Sequence, residues 1–127
     1  MKKRILMLIL IVFMLPLAAC GDNVVTRLSV SEAQVMINGL EDVFLLDVRS
    51  YSEFRQSRIE GAVHIPYNEI AHRYADILHD IGAVIIVYCQ SGRRSAIAGR
   101  ALADIGFIRI YDMQGGINAW QGSTISD

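Results

Sequence analysis

Residues 83–95 read Ala-Val-Ile-Ile-Val-Tyr-Cys-Gln-Ser-Gly-Arg-Arg-Ser, an apolar run that ends at Tyr88 and a polar segment that begins with Cys89. An apolar run without alternation is typical of a strand that is buried on both faces of a sheet. The alanine-rich residues 94–105 predict a helix, and Gly106 is a natural stop for it. Cys89 is therefore expected between a strand end and a helix start, where loop amides and the helix dipole favour a thiolate and a bound anion.

The rest of the chain alternates between strand-like and helix-like segments. Apolar runs predict strands at residues 43–48, 62–65 and 108–111. Helices are predicted at residues 32–37, 51–56 and 68–80, and residues 113–120 predict a glycine turn into a last short helix. We expect Ser31 and Ser50 to cap the first two helices. The alternation predicts an α/β domain with a largely parallel sheet, in which ligands bind beyond the carboxyl ends of the strands.

The amino-terminal residues have the pattern of an export signal. Lys2-Lys-Arg4 is followed by an apolar run over residues 5–15, which is too short for a comfortable membrane span of about 20 residues. Leu17-Ala-Ala-Cys20 then resembles the lipobox of bacterial lipoproteins. That resemblance implies cleavage before Cys20, a diacylglyceryl thioether on its sulfur and a fatty acyl group such as palmitate on its amino group. The alternative is an uncleaved anchor, which would leave the domain on the same side of the membrane.

This pattern predicts four segments and a place in the cell. They are a signal peptide (1–19), a lipidated terminus with a tether (20–27), a folded domain (28–122) and a short tail (123–127). The protein is then expected in the cell envelope, held on a membrane through lipid on Cys20 and facing the periplasm. Loss of the first three basic residues reduces the basic count from 12 to 9 against 13 acidic residues, a net charge near −4. A mildly acidic domain argues against nucleic acid as a partner.

The cysteine count makes Cys89 more informative. With Cys20 attached to lipid, Cys89 is the only free thiol, so neither an intrachain disulfide nor a cysteine zinc cluster is expected. His72 and His79 are seven residues apart but have no third ligand in the pattern, which favours a solvated helix face. No metal and no cofactor is predicted. The alternative for Cys89 itself is an inert thiol buried at the end of a strand.

An ordered set of short motifs runs through residues 28–122. They are Asp47-Val-Arg49 with Glu53-Phe54, Ile59-Glu-Gly-Ala62, Ile65-Pro66, Cys89-Gln-Ser-Gly-Arg-Arg-Ser95 and Gly115-Gly-Ile-Asn-Ala-Trp120. Together they resemble the rhodanese sulfurtransferases, above all the small thiosulfate sulfurtransferases that bacteria export to the periplasm. The resemblance implies a single domain with a mostly parallel, five-stranded sheet flanked by helices, and an active-site cysteine that carries sulfur as a persulfide. One departure is Ser57-Arg58, where the family commonly has Gly-His, and it affects local packing more than activity.

The residues of the 83–95 segment then acquire expected roles. The Cys89 thiolate would attack the outer sulfur of thiosulfate or a similar donor and pass it to cyanide or a thiol, which a redox protein could supply. Its sulfur would be surrounded by the amides of Gln90, Ser91, Gly92 and Arg93, beside Ser95. Arg93 and Arg94 would hold the anionic donor, Arg94 being the position that matches the family. Asp47 and Arg49 are expected to be structural support near the site, with Arg49 or Arg58 as the partner of Asp47.

Two other functions remain open on the same residues. Four residues separate Cys89 from Arg94, whereas the related phosphatases and arsenate reductases have one residue more and a wider loop. In this chain that wider position is Ser95, so the loop fits a sulfur atom better than a phosphate. The other alternative is a membrane-tethered carrier that holds a persulfide for a partner and turns over little by itself.

Overall fold

The computed structural model describes residues 25–40 and 42–127. The strands are β1 (Thr26–Leu28), β2 (Val43–Asp47), β3 (Arg58–Ile59), β4 (Val63–His64), β5 (Val84–Tyr88), β6 (Arg109–Met113) and β7 (Thr124–Ile125). The helices are α1 (Val30–Gly39), α2 (Tyr51–Gln56), α3 (Ile70–Arg73), α4 (Arg93–Ile105) and α5 (Gly116–Ala119), with a 3-10 turn at Tyr74–Asp76.

The central sheet has five parallel strands in the order β1-β6-β5-β2-β4, which confirms the predicted fold class. Its middle strand β5 is buried on both faces, as the unbroken apolar run predicts. Ile85 and Val87 pack into one apolar cluster, while Ile86 and Tyr88 pack into the cluster on the other face. All four side chains have no exposed surface. Because β5 is buried on both faces, its position in the sheet is fixed, and so is the position of Cys89, the residue that follows it.

Of the two predicted helix caps, one agrees with the structure and one does not. Ser50 caps α2 and Glu53 returns the hydrogen bond, as expected. The first helix, however, is capped by Ser29 and not by Ser31, since Ser29 Oγ accepts from the Glu32 amide while the Glu32 carboxylate accepts from the Ser29 amide. This reciprocal arrangement requires an acid three residues after the cap, and Glu32 stands in that relation to Ser29.

The helix predicted over residues 68–80 is wrong in length. Only α3 and the following 3-10 turn are helical, because Leu78 leaves the helix to enter the core with 2% exposure. Asp80 then accepts a hydrogen bond from the Gly82 amide at 2.8 Å and turns the chain toward β5. His79 consequently lies outside the helix and shares no helical face with His72.

The structure also differs from the prediction at two segment boundaries, those of the tether and of the tail. The tether was expected to reach residue 27, but Thr26 and Arg27 belong to β1 at the edge of the main sheet. The expected tail contains β7, which pairs antiparallel with β3, and its Asp127 binds Arg58 at 2.8 Å. Strands of two or three residues are too short to show a period in the sequence.

The predicted signal peptide, Cys20 and most of the tether lie outside the described residues. Within the described part of the chain, none of the helices is long and apolar enough to cross a membrane.

Candidate active site at the end of strand β5

The loop after β5 is shaped by two glycines. Gly92 has φ +125°, a conformation that side chains disfavour, and caps α4 at its amino end. That curl brings the Gly92 amide to 3.0 Å from Cys89 Sγ. From the opposite side, Gly116 in α5 lies so close that an added Cβ would overlap the Cys89 carbonyl oxygen. The Ile117 amide donates to that same oxygen at 2.9 Å, so α5 fixes the loop from behind.

Cys89 is a buried thiol with donors around it. Its side chain is 1% exposed, and Ser95 Oγ lies 3.5 Å from Sγ. Burial raises the pKa of the Cys89 thiol. The Ser95 side chain and the amides of Ser95, Gly92 and Ser91 oppose this, and the net result is a pKa below the ordinary value. The site therefore favours a thiolate without a histidine base.

The two arginines of the loop lie in different environments. Arg93 is exposed at the start of α4. Arg94 forms two hydrogen bonds with Glu53 of α2, at 2.7 and 2.9 Å. Hydrogen bonding from Arg94, opposed by burial and helped by Ser50, lowers the pKa of Glu53 to about 2. The Arg94 guanidinium is thus already paired with a carboxylate, which the sequence pattern does not reveal.

Asp47 and Arg49 form a buried ion pair below the loop. Asp47 is wholly buried and Arg49 is 3% exposed, with Arg49 Nη2 2.6 Å from Asp47 Oδ2. Of the two partners expected for Asp47, the structure selects Arg49. The same guanidinium donates to Ser57 O at 2.5 Å and to Gln90 Oε1 at 3.3 Å. The pair thus connects β2 and the residue after α2 to the loop.

The departure at Ser57-Arg58 is accommodated by packing. Ser57 contributes only its carbonyl oxygen to Arg49. Arg58 stacks over the Phe54 ring at 4.6 Å and binds Asp127, which joins β3 to the carboxyl-terminal strand. Among the described residues, neither side chain forms a hydrogen bond with Cys89.

A cleft of about 350 Å³ opens beside the loop. Its lining is mostly polar and consists of Arg49, Glu53, Gln56, Ser57, Gln90, Ile117, Asn118 and Thr124. Gln90 Nε2 donates to Asn118 Oδ1 at 2.5 Å, so the loop and α5 form one wall. Asn118 was not predicted as a site residue, because its approach to Gln90 depends on a contact across 28 residues of chain.

One further residue was missed, Asp112 in β6. It is 3% exposed, and burial raises the pKa of its carboxyl group. Its signal was present in the sequence, since an acid inside the run Ile110-Tyr-Asp-Met113 is as unusual as Asp47 in its own strand. Among the described residues there is no cluster of three or more metal-ligating side chains.

Comparison with known proteins agrees with this geometry. YrkF of Bacillus subtilis, which is named as a proposed sulfur carrier protein, is 32% identical over 100 residues, or 79% of this chain. The chain spans only 53% of the length of that relative. Thiosulfate sulfurtransferase PspE of Escherichia coli is 31% identical over 70 residues, covering 55% of this chain and 67% of PspE.

A solved structure described as a rhodanese with anions from Escherichia coli superposes with a TM-score of 0.61 at 27% identity, over 67% of this chain and 99% of that one. The family described as Rhodanese-like domain matches residues 29–123. That match includes the central sheet apart from β1, and all of the Cys89 loop. The chain therefore belongs to the Rhodanese-like domain family.

Proposed function

We propose that this protein is a sulfurtransferase that moves sulfane sulfur through a persulfide on Cys89. The relatives named as sulfurtransferases support sulfur transfer in general. The observation that carries the proposal is the environment of Cys89 Sγ, which lies 3.0 Å from the Gly92 amide in a loop that lowers its pKa. A persulfide anion would be stabilised by the same donors as a thiolate.

In the first step the Cys89 thiolate attacks the outer sulfur of thiosulfate. A bond forms between the two sulfurs, the sulfur–sulfur bond of thiosulfate breaks, and its electron pair leaves with sulfite. Arg93 is exposed and forms no ion pair with another described residue, so it can attract the dianion to the loop. Arg94 can then bind the leaving sulfite as Glu53 gives up part of its contact.

In the second step a nucleophilic acceptor takes the outer sulfur from the persulfide. Cyanide or an acceptor thiolate attacks it, the persulfide bond breaks, and the electron pair returns to Cys89 Sγ. The amides around Sγ again stabilise this leaving thiolate. Both steps thus use one set of donors.

The test is mass spectrometry of the full-length protein, kept in detergent and treated with thiosulfate. We expect the mass to rise by one sulfur atom on the peptide that contains Cys89, and cyanide to remove it rapidly with release of thiocyanate. Cys89→Ser should lose steady-state transfer by on the order of a thousandfold or more, since the nucleophile is absent. The matched control is Cys20→Ser, which replaces the other cysteine of the sequence. Full activity of Cys89→Ser would contradict the proposal.

A second candidate is a sulfur carrier, and the relationship to YrkF favours it. A carrier would take up sulfur on Cys89 in the same experiment but discharge it slowly to cyanide and faster to a partner protein. Absence of any sulfur uptake together with hydrolysis of a phosphate ester would instead support the phosphatase reading.

We further propose that the protein is anchored through lipid on Cys20 and faces the periplasm. The support is the sequence Leu17-Ala-Ala-Cys20 after a basic start and an apolar run. Growth of a bacterial host with labelled palmitate should label the wild-type protein but not Cys20→Ser. An unlabelled wild-type protein that retains residues 1–19 would favour the uncleaved anchor.

A further inference from the structure

Three loops at the amino edge of the central sheet each carry an exposed aliphatic side chain. Leu40 comes before β2, Ile81 comes before β5, and Ile108 directly precedes β6. Their side chains are 46%, 46% and 63% exposed, respectively. Because β2, β5 and β6 are neighbours in the sheet and run parallel, the three loops lie side by side where these strands begin. We call the three residues the amino-edge row.

Contacts between the loops connect the members of the amino-edge row. The Ile108 amide donates to the Ile81 carbonyl oxygen at 3.4 Å. Leu40 lines a cleft of about 490 Å³ together with Ala83 and Arg109, which follow closely after Ile81 and Ile108 in the chain. Single exposed aliphatic side chains are ordinary on protein surfaces, whereas a row across three adjacent loops is a candidate interaction surface.

The chain enters the domain at the same edge. β1 begins at Thr26 and runs parallel to β6, so the chain comes into the sheet from the amino side. A fully extended segment from residue 20 to residue 25 spans at most about 17 Å. Adjacent strands are about 4.8 Å apart, so β2 lies about 14 Å from β1, across three strand spacings. A bilayer that holds Cys20 can therefore contact all three loops at once.

We propose that the amino-edge row is a membrane-docking surface, whose three side chains insert into the bilayer that holds Cys20. The inference rests on the lipid anchor proposed for Cys20. Transfer of aliphatic surface from water into the acyl region is favourable, and the anchor makes docking an intramolecular step, so a small contact is enough. A second copy of the chain fits less well, since three side chains offer far less than the roughly 800 Å² per partner that a stable protein interface buries.

The charged side chains at this edge favour apolar docking over attraction to anionic headgroups. Asp42 and Asp80 are exposed and line the cleft beside Leu40. Among the described residues of that lining, Arg109 is the one cation, and it already donates to the Gly82 carbonyl oxygen at 2.6 Å. Recognition of anionic lipid uses a cluster of basic residues. An uncharged lipid, phosphatidylcholine, is therefore the appropriate probe.

The test maps which parts of the lipidated protein touch acyl chains. The protein, purified from the membranes of its host, is placed in phosphatidylcholine vesicles that contain a phosphatidylcholine with a photoreactive diazirine in its acyl chain. After irradiation and digestion with trypsin, mass spectrometry locates the lipid adducts. We expect them on residues 74–93 and 101–109, at Ile81 and Ile108. Residues 110–127 should carry none, although Ile125 of β7 is 41% exposed.

Two substitutions test whether the adducts depend on docking through the row. Ile108→Ser should reduce the adducts at Ile81 by roughly three- to tenfold, because apolar contact area is lost while the label is read at an unchanged residue. The matched control is Ile125→Ser, which replaces an exposed isoleucine outside the row and should leave the adducts unchanged. The wild-type map needs no variant, so the proposal can fail even where Ile108→Ser does not fold.

Failure of the docking surface and failure of the anchor give different results. A protein that sediments with the vesicles but carries adducts evenly, or chiefly on residues 50–55 and 110–127, would overturn the docking surface and leave the anchor in place. A protein that neither sediments with the vesicles nor takes up labelled palmitate would overturn both. A dimer that persists in detergent and keeps Ile81 and Ile108 free of adducts would identify a second copy as the occupant instead.

Discussion

The central sheet has an amino edge, where its parallel strands begin, and a carboxyl edge, where they end. The two edges differ in the polar groups that are buried there, and cavity size does not reveal this difference. At the amino edge, where the strands begin, lies a cleft of about 490 Å³ lined by Leu40, Asp42, Phe44, Asp80, Ala83, Val84 and Arg109. At the carboxyl edge the cleft beside the loop that follows Cys89 is smaller, about 350 Å³, and Gln90, the residue after Cys89, is part of its lining. The larger cleft has no nucleophile, and its Arg109 donates to the Gly82 carbonyl oxygen at 2.6 Å, which holds a turn together.

The difference lies in where polar groups are buried. All four buried polar or charged side chains of the described structure, Asp47, Arg49, Ser95 and Asp112, lie at or near the carboxyl edge. Burial of such groups costs free energy unless each finds a partner, so their concentration at one edge marks it as the candidate functional edge. A comparison of the two edges by substitution can test this interpretation.

The largest effect on stability is expected for Asp47→Ala. It leaves Arg49 buried without its partner, which should lower the free energy of unfolding by about 3–5 kcal/mol. Denaturation in urea measures it. The matched change at the amino edge is the exposed Asp42→Ala, expected to stay within about 0.5 kcal/mol. Similar losses at both positions would remove the asymmetry between the edges.

Gly116→Ala should come next. The position has φ +59° and its new Cβ would meet the Cys89 carbonyl oxygen, so the loop must move. We expect the free energy of unfolding to fall by about 1–3 kcal/mol. The rate of sulfur transfer should be affected more strongly than stability, since the loop amides that donate to Cys89 Sγ are displaced. Gly39→Ala, which meets open space, is the control. Normal kcat/KM in Gly116→Ala would show that the loop tolerates displacement.

A smaller effect concerns the acid side of the pH–stability curve. The folded-state pKa of Glu53 is about 2, below its ordinary 4.5, so its pair with Arg94 stabilises the fold fully above about 4.5. That contribution is lost as the pH falls toward 2, because the unfolded state then binds the proton first. The pair is partly exposed, so we expect no more than about 1 kcal/mol.

Urea denaturation at several pH values between about 2 and about 6 would measure this loss, because that range includes both the folded-state pKa and the ordinary pKa of Glu53. Glu53→Gln should flatten the curve in that range, whereas Glu69→Gln, which breaks the exposed pair with Arg73, should not. An unchanged slope in Glu53→Gln would contradict the role of the pair. The same variant frees Arg94, so its KM for thiosulfate should fall.

The smallest effect is expected at the amino edge itself. Arg109→Gln removes an exposed donor to Gly82, and we expect sulfur transfer to remain within about twofold of the wild-type rate and stability within about 0.5 kcal/mol. A steady-state assay with thiosulfate and cyanide provides the measurement. A strong loss of transfer with normal stability would mean that the larger cleft takes part in function.

The parts of the fold that are local in sequence could be predicted. The run before Cys89 and the Ser50–Glu53 cap are short patterns with strong physical rules, and both are present in the structure. The cap at Ser29 was missed because a second serine two residues later competes for the same role, and the position of Glu32 decides between them. β1, β3 and β7 depend on pairing partners far along the chain, which no local pattern contains.

The features of the candidate site can likewise be divided into those that depend on neighbouring residues and those that depend on contacts between distant parts of the chain. The position of Cys89 between a strand and a helix follows from neighbouring residues, as does the short spacing to Arg94. The engagement of Arg94 by Glu53, which is 41 residues away, follows only from packing. Asp112 shows the limit most clearly, because an acid in an apolar strand signals an unusual environment but does not say which side chain faces it.

The direction of β1 has a consequence for how the protein meets its substrates. β1 runs parallel to β5 and β6, so the chain enters the sheet from the amino side while Cys89 follows the carboxyl end of β5. A bilayer attached at Cys20 would be joined to residue 25 by a segment that reaches at most about 17 Å. Under the lipid anchor proposed for Cys20, Cys89 would therefore lie at the end of the sheet opposite the one at which the chain enters, on the side farther from the lipid.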